Sequence, residues 1–193
     1  MDRDDRDLMQ RVQDGQWELF DALVRRYRGP LQRVAANKLG DDGSAEDVVQ
    51  ETFLAVFAAR QTYNPKFAFR TWLWTILLNL CRRELSKTRR RPQVFAASNV
   101  RKAAGRPPLR EPSTDESGLT HLLHGERTDL LAKQLDLLPE VQADAIRLRF
   151  FGGLKYREIA QTMGGSEIAA KVRVRKGLDT LARRLRDDSG DAP

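Results

Sequence analysis

Cysteine is all but missing from this chain: one, Cys81, in 193 residues. A lone thiol inside an apolar segment excludes a disulfide framework and a cysteine-based metal cluster. Long hydrophobic runs are missing too. The longest lies around Trp72 to Leu80, too short to span a bilayer, and the opening M-D-R-D-D-R-D is too charged for a secretory leader. These absences point to a cytoplasmic chain with no membrane span. Also absent is a second carboxylate cluster. Glu46, Asp47 and Glu51 could serve as magnesium ligands of a helical phosphohydrolase, but such a site wants a matching pair on a facing helix, and none stands there. No metal, cofactor or catalytic residue is therefore expected.

What is present is basic charge, unevenly spread. There are 34 Lys plus Arg against 27 Asp plus Glu, a net charge of +7, which favours a polyanionic partner. Residues 82–110 hold ten basic side chains and one acid, Glu84, and residues 147–186 hold eleven basic and three acidic. Residues 1–60 hold nine basic and twelve acidic. An acidic front is thus followed by two basic zones.

The periodicity is helical throughout. It fills Asp5 to Leu39, with turn signals at Gly15, Gly29-Pro30 and Gly40 to Gly43. A helix then runs over Ala45 to Phe57, with Ser44 as N-cap and Glu46 and Asp47 in the first turn. Val49, Phe53 and Val56 share its core side. The other side carries Asp47, Glu51 and Ala58 around an isolated Leu54, with Gln50 at the edge. Polar groups ringing one apolar side chain form a protein-docking face.

Pro65 makes Gln61 to Ala68 a loop carrying Tyr63, Lys66 and Phe67. The helix after it, Phe69 to Arg91, gathers Leu73, Ile76, Leu77 and Leu80 on one side. Along another recur Thr75, Asn79, Arg82, Ser86 and Arg89, a ladder of donors and cations suited to phosphates, with Asn79 free for a base edge. Aromatic and basic residues on a neighbouring loop suit unstacked single strands better than duplex, although Phe67, Trp72 and Trp74 taken singly fit a core as well.

From Pro92 the apolar rhythm stops, and prolines, glycines, Ser and Thr mark residues 92–125 as a flexible, basic linker. Thr128 to Leu138 forms a helix, Pro139 starts another at its first turn, and Gly152-Gly153 ends it. Leu154 to Met163, the turn Gly164-Gly165-Ser166, and Glu167 to about Arg186 then make a helix-turn-helix, Ser166 capping the second helix. Tyr156, Ile159, Ala160 and Met163 are expected to pack on Val174, Leu178 and Leu181. The outer side of the second helix offers Glu167, Lys171, Arg173, Arg175 and Lys176 to guanine edges and phosphates.

A-E-D-V-V-Q-E-T-F-L, then F-x-x-W-L-W-T-I-x-x-N-L with an Arg-rich end, resembles the second conserved region of bacterial RNA polymerase sigma factors of the small extracytoplasmic-function group. L-P-E-V-Q-A-D-A-I-R-L-R-F-F-G-G-L-K-Y-R-E-I-A-Q-T-M-G-G-S-E resembles the fourth region. The resemblance implies an all-α protein of two domains, 1–91 and 126–193. Its partners are core RNA polymerase and promoter DNA, and catalysis is left to the polymerase. Asp47, Gln50, Glu51 and Leu54 would dock on the polymerase clamp. Tyr63, Lys66, Phe67, Arg70, Thr75, Asn79, Arg82 and Arg83 would hold proximal promoter DNA and the separated strand. Tyr156, Ser166, Glu167, Lys171, Arg173, Arg175 and Lys176 would hold the upstream element. The linker would thread the polymerase cleft, and the docking face would be an obvious target for an anti-sigma protein.

The chain departs from the family at several positions. Where the recognition helix commonly reads S-E-G-T-V-K-S-R-L, this chain reads S-E-I-A-A-K-V-R-V. Gly177 stands mid-helix at a cost of about 1 kcal/mol. Leu78 replaces a common basic residue, and Arg83 a common Asp. The competing function is an autonomous helix-turn-helix regulator, a symmetric dimer with no use for the first domain. If the two domains pack together in the free protein, both DNA surfaces are expected to be hidden.

Overall fold

The computed structural model describes residues 2–90 and 131–188, and within them every regular element is helical. The linker expected over 92–125 lies outside the described residues. The first unit comprises α1 (Asp2–Gln13), a 3-10 turn at Trp17–Leu19, α2 (Phe20–Leu39), α3 (Asp42–Ala58), a 3-10 turn at Arg60–Thr62 and α4 (Phe69–Arg90). Met9 and Val12 of α1, Leu23, Tyr27, Leu31 and Val34 of α2, Val48, Val49 and Val56 of α3, and Leu73 and Leu77 of α4 form its core.

Two local expectations are corrected. Gly29-Pro30 is not a turn, since α2 runs through it. Proline forfeits one backbone hydrogen bond in a helix interior, but buried side chains both before it (Leu23, Tyr27) and after it (Leu31, Val34) hold the helix on the core. Nor does Ser44 cap α3. Asp41, in extended conformation, accepts the Ser44 N–H at 2.7 Å, so the helix begins at Asp42 and its first-turn acid is Asp42. That hydrogen bond holds the Asp41 carboxyl below its ordinary range.

In the second unit, helical residues 131–136 (α5) lead to Pro139, which is the N-cap of α6 (Glu140–Ile146) rather than its first helical residue. α6 widens into a π-helical turn at Arg147–Phe151, then come α7 (Tyr156–Met163) and α8 (Glu167–Asp188). The Lys155 N–H donates to the Glu158 carboxylate at 2.6 Å at the start of α7. Ser166 Oγ accepts the Ala169 N–H at 3.1 Å, the expected cap of α8.

α8 buries Ala170, Val174, Gly177 and Leu181. Leu178, expected in that core, is 40% exposed instead. Gly177 explains the shift: a Cβ there would lie 2.6 Å from Ile146 Cδ1, so the missing side chain is what lets α8 close on α6.

The two units pack against each other, α4 on α7 and α2 on the π turn. This contact widens the buried stripe of α4 to include Trp74, Leu78 and Cys81. Burial pushes the Cys81 thiol up to about 12. At Gly152 a Cβ would meet the Leu148 carbonyl at 2.9 Å and the Trp74 ring at 3.0 Å, so glycine is needed where the units meet.

Candidate protein and nucleic-acid interfaces

Three surfaces can be built from the helices. On α3, burial of Ala45, Val48, Val49, Thr52 and Val56 turns the opposite side outward. Asp47, Gln50 and Ala58 are exposed there, Glu51 is half-buried, and Leu54 is 70% exposed. Glu51 is ion-paired to Arg83 of α4, which ties this face to the next one. This face therefore presents one exposed leucine inside a polar ring.

The second surface is the loop before α4 and the outer side of α4. Phe67 is 67% exposed and Lys66 is exposed, as a strand-binding loop requires. Tyr63 corrects the expectation: its ring is buried, with its centroid 5.8 Å from that of Phe69 and 5.2 Å from that of Trp72, and its hydroxyl donates to the Phe67 carbonyl at 2.8 Å. It holds the loop that presents Phe67 and offers no free ring. Trp74 is wholly buried and Trp72 half-buried. Beside the loop lies a cavity of about 440 Å³ between Tyr63, Asn64, Phe67, Thr71, Trp72 and, from the second unit, Gln161. Its lining is mostly apolar, with a few polar groups.

Only part of the expected α4 ladder is free. Asn79 is exposed. The Thr75 hydroxyl lies 2.9 Å from the Thr71 carbonyl and 3.4 Å from that of Thr162. Arg70 donates to the carbonyls of Gly152 and Gly153, at 2.8 and 3.1 Å, and lies 3.6 Å from the Glu158 carboxylate. Arg82 donates to Glu140 at 3.3 Å and Asp144 at 3.2 Å. Arg70 and Arg82, expected to face DNA, are thus held by the second unit, because nonlocal partners satisfy the same donors that phosphates would. Thr75, whose hydroxyl is satisfied by Thr71 of its own helix, lies against Thr162.

Those partners form a buried polar cluster that the sequence reading missed. Asp144, fully buried, accepts from Lys38 at 2.6 Å. Arg147 donates to Asn37 at 2.8 Å and Asp136 at 2.6 Å, and lies 3.6 Å from Asp144. A signal was present: Lys38 continues the apolar register of Leu31, Val34 and Ala35, where a lysine is buried only if it is paired.

Glu140, on the rim of this cluster, is held below its ordinary value of 4.5 first by its hydrogen bond from Lys38 and then by Arg82. A lowered pKa means that its ion pairs contribute fully above the ordinary value and are lost as pH falls through the lowered one. Acidification below 4.5 should therefore loosen the contact between the units. Small-angle scattering across that range should show the wild type expanding and Glu140→Gln responding less.

The third surface is the outer side of α8. Lys171, Arg175 and Lys176 are exposed and Arg173 is half-buried. Glu167 pairs with Lys171 at 2.9 Å, and Arg175 lies 4.0 Å from Asp179. Tyr156 is half-buried, its ring under Arg149 at 4.9 Å and Lys171 at 5.8 Å, so it supports these cations. Ser166 is exposed, with its hydroxyl used by the cap. Contact between the units was expected to hide both DNA surfaces; it covers part of the α4 ladder and leaves the outer side of α8 open.

Residues 23–91 match the family model for Sigma-70 region 2, and residues 128–181 the model for Sigma-70, region 4. The chain is 30% identical over 189 residues to the ECF RNA polymerase sigma-E factor of Escherichia coli (strain K12), covering 94% of this chain and 95% of that protein. It is also 30% identical over 161 residues to the RNA polymerase sigma-H factor of Pseudomonas aeruginosa, 82% of each. Among solved structures, CnrH in complex with the cytosolic domain of CnrY superposes with a TM-score of 0.71 at 26% identity, covering 95% of this chain and 98% of that one. The sigma factor RpoE in complex with the anti-sigma factor NepR from Bartonella quintana shares the fold, with a TM-score of 0.63 at 22% identity over 90% and 98% of the two chains.

Proposed function

The chain belongs to the extracytoplasmic-function sigma factors, which direct bacterial core RNA polymerase to promoters, and from that premise we propose how its residues divide the work. Residues 1–91 dock on core polymerase and hold proximal promoter DNA; residues 126–193 hold the upstream element. The exposed Leu54, ringed by Asp47, Gln50 and Glu51, is the observation that carries the docking assignment. An anti-sigma protein is a further partner, and it would compete for this face. The chain works in the cytoplasm beside the polymerase and makes or breaks no bond itself.

Strand capture falls to Lys66, Phe67 and Asn79, with the cavity beside Trp72 receiving an unstacked base. Gln161 of α7 walls that cavity, and Thr162 and Glu140 engage Thr75 and Arg82. The second unit must therefore withdraw before Arg70, Thr75 and Arg82 reach DNA. Core polymerase, by seating the two units apart, would supply that separation.

The direct test is capture of core polymerase by the purified chain, followed by run-off transcription from a fragment library. Stable capture with new start sites is expected. DNA binding by the chain alone, with no capture at low salt, would instead favour the autonomous regulator. For α8, Arg173→Ala with Arg175→Ala should weaken promoter binding by the holoenzyme about tenfold and lower its salt slope by about two. Undiminished transcription counts against this assignment.

A further inference from the structure

The buried side of α8 is defined by Ala170, Val174, Gly177 and Leu181. At 100° per residue the opposite side is a line through Ile168, Val172, Arg175 and Asp179. Ile168 is 73% exposed and Val172 44% exposed, so the centre of the outer face begins with two aliphatic side chains in water. They do not belong to a broad apolar patch: Lys171, Arg175 and Lys176 are exposed around them. The ring around this apolar centre is net positive, with Lys171, Arg173, Arg175 and Lys176 against Glu167 and Asp179, which pair with Lys171 and Arg175. It does not suit an aliphatic partner, but it does suit an anionic one with apolar points of its own.

Duplex DNA is that partner. Phosphates flank the major groove, and thymine alone among the bases projects a methyl group into it. Ile168 is the second residue of α8, immediately after the capped turn, where residues of a helix-turn-helix reach base edges. Neither Ile168 nor Val172 can hydrogen-bond a base, so both can discriminate only by methyl contact and shape. They stand four residues apart, about 6 Å along the helix, or roughly two base-pair steps. Resting on the proposed role of α8, we propose that Ile168 and Val172 are specificity residues that select thymines about two steps apart in the upstream element, through contact with their 5-methyl groups. The flanking cations supply affinity.

The test uses the holoenzyme and a promoter selected from templates randomised in the upstream element. Each thymine is then replaced in turn by deoxyuridine, which lacks only the methyl group. At one or two positions the replacement should weaken wild-type binding about fourfold, the value of one buried methyl group. Ile168→Ala with Val172→Ala should bind the thymine promoter correspondingly less well and no longer respond to deoxyuridine. Ile168→Val should keep the response. Both side chains face solvent, so the thermal midpoints should coincide, and a lost response cannot then be ascribed to unfolding.

A selected element without thymines, tolerance of deoxyuridine at every position, or a double variant as sensitive as wild type overturns the inference while leaving the sigma-factor role standing. A holoenzyme that initiates on no fragment overturns both.

Discussion

Asp144→Ala should open the protein. The Asp144 carboxylate is the shared acceptor of Lys38 at 2.6 Å and Arg82 at 3.2 Å from the first unit, with Arg147 at 3.6 Å on its own. Its removal leaves Lys38, whose side chain is 2% exposed, with only Glu140 on the rim. Breaking a buried ion pair from one side costs about 3–5 kcal/mol, because the surviving charge stays desolvated. Each unit retains its own apolar contacts, so the expected consequence is separation, with the balance between closed and open forms moved by roughly a hundredfold or more. Scattering should report a larger radius, and a labelled single strand should bind more tightly as Arg70, Thr75 and Arg82 are released. Lys38→Met removes the charge from the other side and should open the protein too, which guards against a folding defect peculiar to one variant. Unchanged radii in both would show that the polar cluster does not hold the units together.

Leu54→Glu should remove polymerase binding while leaving the fold intact. Leu54 stands out from α3 with most of its surface in solvent, and surface substitutions of this kind change stability by about 0.5 kcal/mol or less. In a docked complex, the same position becomes the dry centre of a ring formed by Asp47, Gln50 and Glu51. A carboxylate placed there is desolvated without a counter-charge, and affinity for core polymerase should fall about thirtyfold or more. Equilibrium binding to core polymerase, beside a thermal melt of the free chain, measures both effects. Equal affinity for wild type and variant would remove α3 from the docking face.

These residues differ in how legible they were from sequence. Leu54 could be read because a helix alternates its faces locally: once Val49 and Val56 are inward, Leu54 must be outward. The Ser166 cap, the Gly164-Gly165 turn and the outward cations of α8 could be read for the same reason. Local signals failed where two residues could do one job, as with Asp41 and Ser44, or where burial on both sides overrode a breaker, as at Pro30. Tyr63 was misplaced because aromatic rings serve a core and a base platform equally well, and only the positions of Phe69 and Trp72 decide between them. Leu178 was misplaced because glycine carries no hydropathy signal: the bare backbone at Gly177 is what fits against Ile146.

Helix type, the order of the two units, the outward side of α3 around Leu54 and the outward basic side of α8 were determined by the sequence itself. All follow from side-chain periodicity and capping chemistry within a turn or two of chain. The pairing of Lys38 with Asp144, the enclosure of Arg70, Thr75 and Arg82, and the wall that Gln161 adds to the cavity were decided only by tertiary structure. Their partners in the second unit stand 58 to 106 residues away in sequence. A donor carries no mark of whether a carboxylate of its own chain or a phosphate of DNA will satisfy it.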